Sequence, residues 1–211
     1  MANKLIYFAS RGRAEIIRLA LAEAGVAWED ETFKTEDFSR LKASGRLPFQ
    51  AVPVWEEDGF RLAQSLAILQ HIGRGHGLYG ASPREQALVD QALGAVEDVR
   101  LEIRKLTAAE PAKRPEVRAD LTANVLPRWF GLLEKLLASN KEGKGFLVGE
   151  KVSIADLALW YLIELSRDNG FGSALSDCPR LTAFAERVAS RPKIAAYLAS
   201  SRRFPLTRLP G

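Results

Sequence analysis

The sequence predicts an α/β domain built on a mixed four-stranded sheet, followed by an all-helical bundle. Three observations carry this. Apolar segments before Gly75 fall in the order β-α-β and then β-β-α. A glycine-rich stretch from Gly75 to Ala81 breaks the pattern. Beyond it, the apolar residues recur with the helical period alone.

Each element has a local reason. Lys4 to Phe8 is a short apolar strand. Arg13 to Ala24 carries Ile16, Ile17, Leu19, Ala20 and Leu21 at helical spacing, and Gly25 stops it. Ala27 to Phe33 returns as a strand, and a crossover helix between two strands implies parallel pairing. Lys34 to Pro48 is polar and reads as an irregular loop. Val54-Trp55 and Phe60 to Leu62 flank Asp58-Gly59, the signature of an antiparallel hairpin. Ser65 to Gly75 reads as a helix. The first domain is therefore expected over 1–76, a linker over 77–83 and the helical domain over 84–211.

In the helical half, Ser82-Pro83-Arg84-Glu85 combines a serine cap, a proline in the first turn and a glutamate at the third position. A long helix follows to about Thr107. A second is expected from Pro115 to Ser139, kinked at Pro127. Ser153 and Asp156 form a capping box ahead of a segment apolar nearly all round (Ile154, Leu157, Leu159, Trp160, Leu162, Ile163), expected at the bundle's centre. Pro179 to Ala189 and Lys193 to Ala199 complete the expected bundle. Trp55, Trp129 and Trp160 are expected to fill cores.

Composition narrows the function. Of 211 residues, 47% are apolar and 27% charged, as in an ordinary globular protein. No apolar run spans a bilayer, and Met1-Ala2-Asn3-Lys4 leads directly into a strand rather than a secretory signal. The 30 Lys+Arg and 26 Asp+Glu are interspersed, apart from Arg202, Arg203 and Arg208, which argues against nucleic acid and fits a small anionic ligand. Cys178 is the only cysteine, so internal disulfides and multi-thiolate metal clusters are excluded and a cytoplasmic location is expected. His71 and His76 lie five apart with no acidic cluster, so no metal site is expected.

The stretch from Val52 to Arg74 has the design of a peptide-binding edge. A proline at Val52-Pro53 can hold a cis bond and turn the preceding backbone outward. Gln64-Ser65 opens a helix, offering N–H groups and a positive dipole end to a carboxylate. Together they suit an extended, anionic peptide.

Motifs in order and spacing extend this reading: Tyr7-Phe8 ending the first strand, then Arg11-Gly12-Arg13; Leu41-Lys42-Ala43-Ser44; Gln64-Ser65-Leu66-Ala67-Ile68-Leu69; Gly77-Leu78-Tyr79-Gly80; Val96-Glu97-Asp98-Val99-Arg100; and the capping box after Gly149. Over nearly its whole length the chain resembles the cytosolic glutathione transferases of the tyrosine type, most closely the pi and sigma classes. The resemblance implies a thioredoxin-like first domain, glutathione as co-substrate without a metal, a homodimer, and transfer of the glutathione thiolate to small hydrophobic electrophiles. A glutathione-dependent isomerase or peroxidase, or a non-catalytic binding protein, remain alternatives on the same fold.

The resemblance also implies roles. Tyr7 is the hydroxyl donor to the thiolate, with Ser10 as its rival; spacing alone favours a core aromatic at Tyr7, and the surrounding family motif reverses that reading. Phe8, Arg13, Phe38, Lys42, Ala51, Val52, Pro53, Gln64 and Ser65 are the glutathione residues, joined by Asp98 from the partner subunit. Val52 would present its backbone to the cysteinyl part of the ligand, and Gln64 and Ser65 would hold the γ-glutamyl carboxylate. Phe49 resembles an aromatic key inserted into the partner, the alternative being burial within its own chain. Phe8, Ser10, Arg104, Ala108 and Phe204 are the expected electrophile residues, in a site expected between the domains. Three positions depart from the pattern. Phe38 stands where tryptophan is frequent, Ala51 where glutamine is usual, and Ala108 where pi-class chains often have tyrosine.

Overall fold

A computed structural model describes residues 3–206 and 208–210. Its contacts form two compact units. One holds the chain to Leu78 together with a segment beginning at Pro192; the other runs from Tyr79 to Arg191 and resumes at Arg208.

In the first unit, β1 (Lys4–Phe8) leads into α1 (Glu15–Ala24) and β2 (Glu29–Phe33). A short α2 (Phe38–Ala43) precedes β3 (Val54–Glu57), β4 (Phe60–Ala63) and α3 (Ser65–Gly75). Among the described residues the strands form one sheet in the order β2-β1-β3-β4. β1 and β2 are parallel, with Tyr7 opposite Thr32. β1 and β3 are antiparallel with Ile6 opposite Val54, and β4 pairs with β3 through Ala63 and Val54. The sheet is therefore mixed, as expected, and α1 buries Ile17, Leu19, Ala20 and Leu21 completely. Gly25 closes α1 in the left-handed region, φ +75°, with its N–H on Ala22 C=O and that of Val26 on Leu21 C=O.

The stretch 34–48 is more ordered than its polarity implies. Phe38 and Leu41 face the same way three residues apart in α2 and pack on Ile6, Leu47, Val54 and Ala63. Two apolar side chains on one turn suffice for packing but leave no periodic signal.

The second unit contains α4 (Pro83–Ala108), α5 (Arg114–Asp120), α6 (Leu126–Ala138), α7 (Ile154–Asp168) and α8 (Pro179–Ala189). The Ser82 hydroxyl caps α4 by accepting the Glu85 N–H at 3.2 Å. In place of one kinked helix over 115–139, a π-helical turn at Leu121–Val125 separates α5 from α6. Pro127 follows in the first turn of α6, so its missing N–H falls where the winding has already changed. α7 is buried on nearly every side. At its start the Asp156 carboxylate accepts the Ser153 N–H, the Ser153 hydroxyl and the Leu147 N–H, each at 2.7 Å. Burial nevertheless raises the Asp156 pKa to about 6. The Glu134 carboxylate, from α6, accepts the N–H groups of Arg180 (3.0 Å) and Leu181 (2.8 Å) and so caps α8. Trp55 and Trp160 are buried as expected, whereas Trp129 is only half-buried.

The final helix, α9 (Pro192–Leu198), corrects one expectation. It does not complete the bundle; it packs with the first unit, where Tyr197 donates to the Glu15 carboxylate at 3.1 Å and Lys193 to the Glu23 carbonyl at 3.0 Å. Among the described residues no helix is long and apolar enough to cross a membrane.

Candidate active site

Tyr7 lies near the end of β1 and is half-buried. Past Phe8 the chain turns sharply. The Ser10 N–H bonds the Phe8 carbonyl at 2.7 Å, and Gly12 adopts φ +42°. The turn returns the backbone to the tyrosine, and the Arg13 N–H donates to the Tyr7 Oη at 3.0 Å. The phenolic oxygen is thus held as an acceptor, and its own proton is left to serve another acceptor.

From the same turn, Arg13 Nη1 donates to Ser65 Oγ at 3.3 Å. Ser65 is buried and opens α3. Gln64, the residue before it, holds φ +76° and ψ +119°. That conformation costs a side-chain-bearing residue about 1–3 kcal/mol. It orients the first turn of α3 so that its initial N–H groups lie beside Arg13, a pairing suited to a carboxylate. Tyr7, Arg13, Gln64 and Ser65 therefore form one contiguous group.

A second group adjoins it. Phe8 packs on Phe38 (5.3 Å between ring centres) and Phe33 (4.7 Å), and Phe33 stacks on Phe38 at an interplanar angle of 8°. The Lys42 ammonium sits 4.5 Å from the Phe38 ring centre. Val52 packs on the same small core as Phe38. The Val52-Pro53 peptide is cis. Val52 precedes the β3 ladder, and its backbone forms no hydrogen bond among the described residues. Ala51 is exposed, next to Gln50 at φ +51°.

The remaining predicted residues are placed as follows. Phe49 is 65% exposed, which removes the alternative of burial within its own chain. Asp98 is exposed on α4, as are Arg104 and Ala108. Ser10 and Phe204 belong to the first unit, where the Phe204 carbonyl accepts from Arg11 Nε at 2.9 Å. A separate open hollow of about 510 Å³ lies along Lys4 and Glu56 to Arg61 at the hairpin. None of the residues above lines it. It shares no residue with the Tyr7 group.

Sequence reasoning passed over a charged cluster beneath the tyrosine. Glu15 and Arg18, one turn apart on α1, are both completely buried. Arg18 donates to Asp30 (2.7 Å) and to the Ser10 carbonyl (2.8 Å), and Arg203 donates to Glu15 at 3.3 Å. Burial raises the pKa of Glu15 against the pull of Arg18 and Arg203. The available signal was two charges among Ile16, Ile17, Leu19, Ala20 and Leu21, on the face that must go inward.

Comparison with known proteins identifies the family. A family model described as the glutathione S-transferase N-terminal domain matches residues 3–74, and one for the C-terminal domain of the same family matches residues 97–201. The chain belongs to the glutathione S-transferase family. It is 38% identical over 202 residues to glutathione S-transferase P 1 of Bufo bufo, covering 93% of this chain and 91% of that protein. It is 36% identical to human glutathione S-transferase A1, covering 92% and 87%. Among solved structures, the glutathione S-transferase of Ascaris lumbricoides superposes with a TM-score of 0.87 at 32% identity, covering 98% of this chain and 99% of that one. A glutathione S-transferase of Necator americanus described as monomeric, Na-GST-3, gives 0.87 at 30% identity, covering 99% and 100%. The thioredoxin-like first unit and the helical second unit are thus those of a glutathione S-transferase.

Proposed function

We propose that the chain conjugates glutathione to small hydrophobic electrophiles, ionising the bound thiol through Tyr7. A free cysteine thiol has a pKa of about 8.5 and is mostly protonated at neutral pH. A fixed donor aimed at the sulfur favours the thiolate. One observation carries the reading: the Tyr7 oxygen already accepts the Arg13 N–H. The phenolic proton is therefore the group left to face sulfur, and the N–H strengthens it as a donor.

Glutathione is held, in this reading, along Val52 and the cis Pro53, with its γ-glutamyl carboxylate at Gln64, Ser65 and the first turn of α3. Arg13 supplies charge to that end. Phe38 and Lys42 serve the glycine end, with Phe8 and Ala51 completing the contact. Phe8, Ser10 and Phe204 meet the electrophile. The active form is a homodimer in which the exposed Phe49 enters the second copy and Asp98 of the partner subunit reaches the γ-glutamyl amino group. A cytoplasmic role in detoxification fits a chain whose single cysteine, Cys178, is buried and unpaired.

Titration of the bound thiol, followed by thiolate absorbance, tests the mechanism. In Tyr7→Phe the pKa of bound glutathione should rise toward its free value and kcat should fall about 100-fold, with glutathione Kd little changed. Undiminished turnover in Tyr7→Phe would overturn it.

A further inference from the structure

Arg18, like Glu15 beside it, is completely buried in the first unit, with a side chain 0% exposed. Its fork joins the turn after β1 to β2: Nη1 bonds the Ser10 carbonyl and Nε bonds Asp30. The guanidinium lies 4.5 Å from the Phe204 ring centre and 6.0 Å from that of Tyr7. Its Nη2 is buried with no acceptor among the described residues. A desolvated cation left partly unsatisfied is costly, and what it secures here is the Ser10 to Arg13 turn.

We propose that Arg18 is a positioning residue for the Tyr7 hydroxyl, an inference that rests on the thiol-ionising role given to Tyr7 above. The turn it ties down delivers the Arg13 N–H to the phenolic oxygen. With the Ser10 carbonyl released, that N–H drifts and the phenol loses its orientation. The action is geometric rather than a matter of net charge. Around the guanidinium stand Asp30 and Glu15 as acids and Arg203 and Arg11 as bases, with Tyr197 bonded to Glu15. Arg202 also approaches Asp30, at 3.8 Å. With Arg18 these are four cations against two carboxylates, so positive charge is already supplied by its neighbours and what Arg18 alone adds is its geometry. Only the planar fork can serve Asp30 and Ser10 together while stacking on Phe204, and a lysine ammonium cannot.

The test is a double-mutant cycle on the full chain with glutathione and a chlorinated nitroaromatic. Arg18→Lys and Arg18→Met should each lower kcat/KM about tenfold and raise the pKa of the bound thiol, with glutathione Kd changed less than threefold. In a Tyr7→Phe background the same substitutions should cost nothing further, since the lost interaction runs through the phenol. Should neither Arg18 variant fold, Asp30→Asn, which loosens one side of the fork, enters the same cycle with the same expected coupling. Full activity in Arg18→Lys, or penalties that add to that of Tyr7→Phe, overturns the proposal while leaving Tyr7 catalysis intact. If wild-type protein never ionises bound glutathione, the mechanism and this inference fall together.

Discussion

A Cβ on Gly12 would stand 2.5 Å from the phenolic oxygen of Tyr7. The two residues are in contact because the turn after β1 must pass close enough for the Arg13 N–H to reach that oxygen. Gly12 also holds φ +42°, so it meets both conditions that only glycine satisfies without strain. Gly12→Ala should displace the ring and lower kcat/KM about 10- to 100-fold, since small misplacements of a reacting group have effects of that size. Steady-state kinetics on the folded variant checks this; wild-type kcat/KM would show that the ring's position is unimportant.

Ala51 should be improvable. It is exposed beside Val52, where the family pattern places a glutamine. Ala51→Gln should tighten glutathione binding by about three- to tenfold, the worth of one added hydrogen bond. Calorimetry gives the answer directly, and an unchanged Kd removes Ala51 from the account of affinity.

Phe49 should govern assembly. A phenylalanine 65% exposed in the loop between Pro48 and Gln50 gains about 2–3 kcal/mol on burial. A two-fold interface would bury two copies, so Phe49→Ser should raise the dimer dissociation constant about 1000-fold. Sedimentation of wild type and variant decides the matter. A monomeric wild type, like the Necator americanus relative described as monomeric, would refute the dimer and with it the role of Asp98.

Asp156 should make stability fall as pH rises. Its folded pKa is raised to about 6 from an ordinary 3.8. The fold therefore favours the protonated acid. That stability is fully present below about pH 4 and is lost as pH rises through 6. The loss should amount to at most about 3 kcal/mol. Glu31, lowered by Arg46, Glu56, lowered against the effect of burial by Arg46 and then Arg61, and Glu57, lowered by His71, act in the opposite sense and at lower pH. Denaturant unfolding of wild type and Asp156→Asn at pH 4.5 and 7 separates the contributions. The wild-type advantage over the variant should shrink across that interval, and a constant difference would contradict the raised pKa.

Much of the fold was legible because its signals are local. Gly25 ends α1, Asp58-Gly59 turns the hairpin, and Ser82 and Asp156 cap their helices through side chains only a few residues from the N–H groups they serve. What escaped depends on distant partners. α2 exists because Phe38 and Leu41 find Leu47 and Val54 across the fold. The burial of Arg18 requires Asp30, Ser10 and Phe204 at once, and residues 186 apart in sequence share no pattern. The π turn before Pro127 escaped differently, since a proline announces that a helix must yield without saying on which side. For the candidate site the motifs named Tyr7, Arg13 and Ser65, but their connection through one backbone N–H and one guanidinium is a property of the folded turn.

The return of α9 to the first unit limits how the molecule can be divided. A fragment ending at the linker would keep the sheet and strip Tyr197 and Arg203 from Glu15. An enclosed carboxylate would then face Arg18 with two of its partners gone. Severing the chain at its apparent seam thus unsettles the floor under the tyrosine, and the last helix should be regarded as a non-contiguous piece of the sheet-bearing half.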